Sequence, residues 1–246
     1  MSTTISLYDA TLALIYPQEC AVCGESVDER ACGVACAECW RETRVFDGSE
    51  IVCWKCGALA EGTVPEEDRA LVRCRRCEAE AFTAARACGT YEGALRASVL
   101  ALKREPYVAS HLSRLMLEAQ QRAPLNHATC ILPVPLHTER ARERGFNQAS
   151  ILAQELARRA SLPFDQWSLS RITHTERHRA GMDARARRES VLGAFKVTRP
   201  RLIQDQRILL VDDVFTTGAT VSACAQALKA AGAQEVFILT VARPMY

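Results

Sequence analysis

An α/β fold, with a parallel sheet flanked by helices and preceded by a small cysteine-rich unit, is the class this 246-residue sequence predicts. Three observations predict it. After residue 88, apolar strand patterns alternate with helical ones, the order that builds parallel sheets. Nine of the 12 cysteines crowd between Cys20 and Cys77. Charge divides at the same place: residues 1–90 hold 9 Lys/Arg against 15 Asp/Glu, a net of −6, and residues 91–246 hold 22 against 14, a net of +8. Halves of opposite sign point to two units with different partners. The expected division is a metal-binding unit at residues 1–88 and an α/β unit at residues 89–246.

The elements follow in chain order. Residues 6–15 read as a short helix ended by Pro17, and residues 61–68 as an acidic loop. Residues 93–103 and 108–122 are helical patterns parted by Pro106. Residues 129–136 (TCILPVPL) read as a buried strand entering a proline-rich turn. Residues 146–160 carry Ala149, Leu152, Ala153 and Leu156 at helical spacing. Residues 167–172 and 194–197 suit short strands, 207–212 a buried strand, 219–231 a helix ended by Gly232, and 235–242 a further strand.

Composition excludes several classes. A hydrophobic fraction of 48% with 24% charged residues is that of a globular protein rather than a disordered one. No apolar run approaches the ~18 residues of a membrane span. The N-terminus lacks a basic region and Asp9 breaks its short apolar run, so an export signal is not expected and the expected compartment is the cytoplasm. Aromatics at 6% argue against a stacking surface for single-stranded nucleic acid.

Eight of the clustered cysteines form four C-x-x-C pairs: Cys20/Cys23, Cys36/Cys39, Cys53/Cys56 and Cys74/Cys77. Random placement would give about 0.6 such pairs, so four require an explanation. Two thiolates at this spacing reach one tetrahedral Zn²⁺ at about 2.3 Å. Four pairs therefore make two all-cysteine sites. Sequential pairing gives Cys20/Cys23/Cys36/Cys39 and Cys53/Cys56/Cys74/Cys77, a double zinc ribbon, and is the preferred reading; crossed pairing is geometrically possible. Cys32 reads as a small buried residue or a replacement ligand. With sulfur at every position no coordination site stays open, so both zincs are expected to be structural. A disulfide framework is disfavoured where no export signal is expected.

The most informative stretch is ILLVDDVFTTGAT, Ile208–Thr220. Four apolar residues make a strand buried on both faces. Asp212 and Asp213 stand at its carboxyl end, where open α/β sheets bind ligands. Thr216, Thr217 and Gly218 then form a turn into a helix beginning near Ala219. The turn and helix start offer backbone N–H groups to one phosphate, with hydroxyls from Thr216, Thr217 and Thr220. A ribose 5-phosphate fits both halves, its phosphate on the turn and its hydroxyls on the acids. Helix capping alone accounts for one acid or one threonine, not for the whole pattern.

This stretch resembles the phosphoribosyl diphosphate (PRPP) binding motif of type I phosphoribosyltransferases. The whole chain resembles the competence protein F family, which couples a zinc ribbon region to a phosphoribosyltransferase-like domain. The markers are the four C-x-x-C pairs, Ala101–Lys103, PVPLHTERARERGFNQ at Pro133–Gln148 and the acid-and-threonine motif. The resemblance implies a type I phosphoribosyltransferase-like sheet, with Asp212 and Asp213 holding the ribose hydroxyls and Thr216, Thr217, Gly218, Ala219 and Thr220 the 5′-phosphate. It implies Mg²⁺ bound with PRPP, pyrophosphate received by the loop after Pro133–Leu136 near Arg140 and Arg144, and Lys103 approaching the diphosphate. It implies pentosyl transfer to an acceptor the sequence does not name, and a link either to DNA uptake, through single-stranded DNA or DNA-uptake proteins, or to nucleotide metabolism. The alternative reading is a nucleotide- or single-stranded-DNA-binding factor without turnover.

His174–Ser190 departs from the family, carrying basic residues and Ser where many relatives have Gln and Asn, which bears on acceptor choice. The stretch Arg171–Arg188 holds six Arg, with Glu176 and Asp183 opposing. It reads as a lid over a diphosphate, a nucleic-acid surface or a solvated loop. His137, His174 and His178 show no pairing that would make a nucleophile and base, and receive no catalytic role.

Overall fold

The structure is a computed structural model and describes residues 18–136, 144–172 and 193–245. The short helix expected at residues 6–15, Arg140, His137 and most of the basic stretch after Arg171 lie outside the described residues.

Helix α1 (Ala37–Glu42) lies within the cysteine-rich segment. Strand β1 (Ala84–Thr90), helices α2 (Gly93–Leu102) and α3 (Ser110–Gln120) and strand β2 (Cys130–Pro133) follow. Then come α4 (Gln148–Ala160), β3 (Leu169–Arg171), β4 (Phe195–Val197), β5 (Arg207–Val214), α5 (Ala219–Ala230) and β6 (Glu235–Arg243). Four strands form one parallel sheet in the order β1-β6-β5-β2. β3 and β4 pair antiparallel as a separate ribbon.

The central strands explain the burial. Leu209, Val211, Phe237, Leu239 and Val241 point to the face covered by α2, α3 and α4. Ile208, Leu210, Val236 and Ile238 point to the face covered by α5 and the β3–β4 ribbon. Both alternating sets are apolar because both faces are dry, as crossover helices require. Each such side chain contributes about 1.5–3 kcal/mol by leaving water.

β1 was not among the strands expected from the sequence. Its residues, AARACGT, are mostly small and show no alternation, yet six of the seven are buried. The expected division at residues 88/89 falls inside this strand. The cysteine-rich segment covers its outer edge: Phe46 N–H donates to Cys88 O at 2.7 Å, Thr90 N–H to Arg44 O at 3.0 Å and Ala85 N–H to Lys55 O at 2.7 Å. At the opposite edge Ile131 N–H donates to Pro163 O at 2.8 Å and Asp165 N–H to Ile131 O at 3.0 Å. Neither edge is left as an open template for strand pairing.

The cysteine-rich segment is also continuous with the core. Cys20, Val27, Cys39 and Trp40 pack into the cluster that includes α2 and α3, while Cys53, Cys56 and Cys77 join the cluster on the other face. Thr43, just past α1, accepts the Ala94 N–H at 2.8 Å and donates to Cys39 O at 2.6 Å. It thereby caps the start of α2, whose own N-cap residue Glu92 supplies no side-chain bond.

Candidate functional site

β5 extends two residues further than expected and carries Asp212 and Asp213 to the carboxyl edge within the strand itself. Asp212 pairs in register with Thr240 of β6. Each acid accepts one backbone N–H: Asp212 Oδ1 from Asp213 at 2.9 Å, and Asp213 Oδ1 from Val214 at 2.7 Å. Burial pushes the Asp212 carboxyl well above the usual carboxylate range, and the charge of Asp213 beside it adds to this. The Asp213 N–H and the positive charge of Lys103 act in the opposite direction. Lys103 is half-buried at the end of α2, so the helix ends where the acids need a cation.

The chain then turns. Phe215 is buried and its N–H donates to Ala242 O at 2.9 Å, which fixes the exit from β5. Thr216 is exposed and Thr217 half-buried, with the Thr217 Oγ1 accepting the Ala219 N–H at 3.5 Å. Gly218 is left-handed, with φ of 78°, and a Cβ there would come within 2.9 Å of the Phe215 ring. Only glycine fits this position comfortably. Gly218 itself gives α5 no side-chain cap, so, apart from the long Ala219–Thr217 contact, the N–H groups of its first turn remain for an anion. Ala219 and Thr220 form that first turn.

β2 ends at the same edge, where Val134 N–H donates to Val211 O at 2.9 Å. Asn147 holds the loop after β2 against α4: its Nδ2 donates to Val134 O at 3.0 Å while its Oδ1 accepts the Ala149 N–H at 3.1 Å. Arg144 precedes this cap and is exposed. Of the expected site residues, Asp212 and Asp213 lead through the turn to the α5 start, with Lys103 close enough for its charge to act on Asp212; Arg144 is exposed before α4 and Arg140 lies outside the described residues. Asn147 was missed as a positioning residue, although an Asn ahead of an apolar helical pattern is a capping signal. Cys224, fully buried in α5 and close enough for the Asp212 charge to act on it, is held protonated by burial.

The cysteines form two groups of four, Cys20/Cys23/Cys36/Cys39 and Cys53/Cys56/Cys74/Cys77, with all sulfurs of a group within 4.8 Å of one another. The pairing is therefore sequential. Sulfur separations are 3.8 Å for Cys20–Cys39 and Cys23–Cys36, 3.6 Å for Cys53–Cys77 and 3.5 Å for Cys56–Cys74. Zn–S bonds at tetrahedral angles would set sulfurs about 3.8 Å apart, so the donor sets fit zinc.

The two clusters repeat one design. Cys36 N–H donates to Cys20 Sγ, and Cys74 N–H to Cys53 Sγ, each at 3.3 Å. Burial raises the Cys20 and Cys53 thiols, but these and neighbouring backbone N–H groups outweigh it and bring both down to about 6. Cys32 stands outside both groups; it is buried, and burial pushes its thiol up to about 11.

Comparison with known proteins gives two family matches. The model described as "Phosphoribosyl transferase domain" matches residues 143–245, and "Double zinc ribbon domain" matches residues 11–78. "Competence protein F" of Haemophilus influenzae is 34% identical over 137 residues, covering 54% of this chain and 59% of that protein. "DNA utilization protein YhgH" of Escherichia coli O157:H7 is 35% identical over 150 residues, covering 59% of this chain and 65% of that protein. "Competence protein ComFC" of Bacillus subtilis (strain 168) is 34% identical over 98 residues, covering 40% and 37%. The chain thus spans less than two thirds of the length of these relatives. With both cysteine clusters and the acid-and-turn edge in place, the chain is similar to competence protein F and combines a match to a double zinc ribbon with a match to a phosphoribosyltransferase domain of α/β fold.

Proposed function

We propose that the protein binds PRPP at the carboxyl edge of β5 and transfers its phosphoribosyl group to an acceptor, with loss of pyrophosphate, in the service of DNA uptake. One observation carries this reading: two acids stand one short turn away from a helix start whose N-cap glycine supplies no side chain, and Lys103 acts on the first of them. The 5′-phosphate occupies the N–H groups at Ala219 and Thr220 and the hydroxyls of Thr216, Thr217 and Thr220. The ribose hydroxyls donate to Asp212 and Asp213.

The acids and diphosphate oxygens are hard donors that suit Mg²⁺, which when bound neutralises the diphosphate. The C1′–oxygen bond breaks with its electron pair leaving on pyrophosphate, and the acceptor forms the new bond at C1′ and releases its proton. Negative charge at Asp212 and Asp213 stabilises the cationic sugar, and Arg140 and Arg144 stabilise the departing pyrophosphate. Preorganised charge, not a covalent intermediate, supplies the acceleration. Two structural zincs, one per cysteine group, hold the N-terminal segment against the sheet.

Incubation with PRPP, Mg²⁺ and a panel of bases, following pyrophosphate, tests the reading. Turnover that survives Asp212→Asn combined with Asp213→Asn contradicts it. A non-catalytic factor for single-stranded DNA is the second reading, supported by the relatives' names and by the net +8 of residues 91–246. It requires binding that weakens with salt by about 0.7 log units per decade for each phosphate contact.

A further inference from the structure

We propose that a cavity of about 340 Å³ between the second cysteine group and the outer strand β1 is a binding site for a small phosphate monoester. Its lining includes Trp54, Arg69, Arg86 and Arg122, with Glu50 and Glu66 as the acids. None of the lining residues belongs to β5, to the turn at residues 215–218 or to α5, so this site is separate from the PRPP edge.

Two of the arginines carry a buried N–H without an acceptor, Arg69 at Nε and Arg86 at Nη2. Buried donors are rarely left unpaired, and those that are call for an explanation. Arg86 Nη1 is fully occupied, donating to Trp54 O at 2.9 Å and to Ala85 O at 2.8 Å. Arg69 reaches Gly48 O at 3.4 Å through Nη1 alone. Arg122 uses Nη1 on Phe46 O at 2.9 Å and Nε on Glu118 O at 3.1 Å. Among the described residues, none of the three forms an ion pair.

The acids do not balance this charge. Glu50 is already engaged, its two oxygens accepting the N–H groups of Asp47 at 3.2 Å and Gly48 at 3.0 Å. Glu66 stands exposed at the start of a short 3-10 helix. A four-thiolate zinc centre is itself negative and offsets part of the charge of Arg86, whose neighbours include Cys53 and Cys56. Asp47 offsets part of the charge of Arg122, and the charge of Arg69 and the two unpaired N–H groups stay unexplained. Three guanidinium groups suit a dianion better than a monocarboxylate, and their planar forks match phosphate oxygens. Trp54 adds an aromatic surface, with Arg86 5.0 Å from its ring centre. The volume sits at the small end of the about 300–1,000 Å³ common for ligand sites, which favours a single nucleotide-sized molecule.

The test is calorimetric titration of the zinc-loaded full chain with AMP, ribose 5-phosphate and adenosine. Saturable binding of at least one phosphate probe is expected, tenfold or more tighter for AMP than for adenosine. Arg69→Gln, in the short 3-10 helix Glu66–Leu71, is expected to weaken it at least tenfold, and Arg86→Lys, which keeps the charge but loses the spare donor, several-fold. Gly218→Val, which removes any phosphate binding at the PRPP edge, is expected to leave the Arg69-dependent binding within twofold. Zinc content and melting temperature confirm that each variant is folded. No saturable binding of either phosphate, equal binding of adenosine, or loss in Gly218→Val with none in Arg69→Gln would each overturn the proposal.

Discussion

The guanidinium carbon of Arg243 lies 5.4 Å from the centre of the Phe215 ring, and its Nη1 donates to Cys56 O at 2.9 Å. One side chain at the end of β6 therefore joins the second cysteine group to the residue that shapes the Gly218 turn. Two further contacts run in parallel. Phe82 meets Phe215 edge-on at 6.0 Å, and Ala81 N–H donates to Ser222 Oγ of α5 at 3.0 Å. The segment after Cys77 thus braces both the turn and the helix that would hold a phosphate.

Losing the second metal should consequently weaken ligand binding at a distance. The native chain is expected to carry two zincs, and Cys74→Ser to lose one together with about tenfold in PRPP affinity, some 1.4 kcal/mol. Cys23→Ser, in the exposed part of the first group, should lose one zinc with a smaller effect on affinity. Metal analysis alongside calorimetry reads both quantities, and equal affinity in all three proteins would refute the brace.

Asp212 makes stability depend on pH. Burial and the neighbouring Asp213 raise its pKa above the unfolded value, near about 3.9 for Asp. The folded state then binds the proton more tightly. The stability this adds is fully present below the unfolded value and is lost as pH rises through the folded value. Asp212→Asn removes that loss, so its melting temperature at pH 7–8 should exceed the native one, with the difference closing toward low pH. PRPP binding should fall in the same variant, the exchange of stability for function expected at a site. Melting curves across pH that run parallel would contradict the assignment.

Gly218 tests the turn directly. Gly218→Ala places a Cβ within 2.9 Å of the Phe215 ring at a φ of 78°. A cost of about 1–2 kcal/mol in stability is expected from the left-handed backbone alone, with a larger loss in PRPP affinity because the turn must shift. A neutral result in denaturant titration and calorimetry would mean the turn does not bind phosphate.

Thr43 tests whether the N-terminal segment stands apart. Thr43→Val removes the acceptor for Ala94 N–H and should cost about 1 kcal/mol, read as a lowered denaturation midpoint. Chelation should deprotect the amides of Ala85 and Thr90 in hydrogen exchange, since their acceptors, Lys55 O and Arg44 O, belong to the metal-binding segment. Amides of β1 that stay protected after chelation would show that the sheet keeps its edge unaided.

The sequence by itself determined the four C-x-x-C pairs, the β5–α5–β6 unit and the acid-and-turn edge, while the structure decided which pairs share a group. Each is encoded within a few neighbouring residues: C-x-x-C spacing sets metal reach, four apolar residues set a dry strand, and D-D followed by T-T-G sets a charged edge and an open helix start. Only the tertiary structure decided the strand order, the place of β1 and the contacts that bind the N-terminal segment to the ligand edge. β1 carries small residues whose strand character comes from being covered on both faces, not from any local pattern. The Thr43–Ala94, Ala81–Ser222 and Cys56–Arg243 contacts join residues 51, 141 and 187 positions apart. Such pairs depend on which surfaces meet once helices and strands have packed, and no local spacing records that.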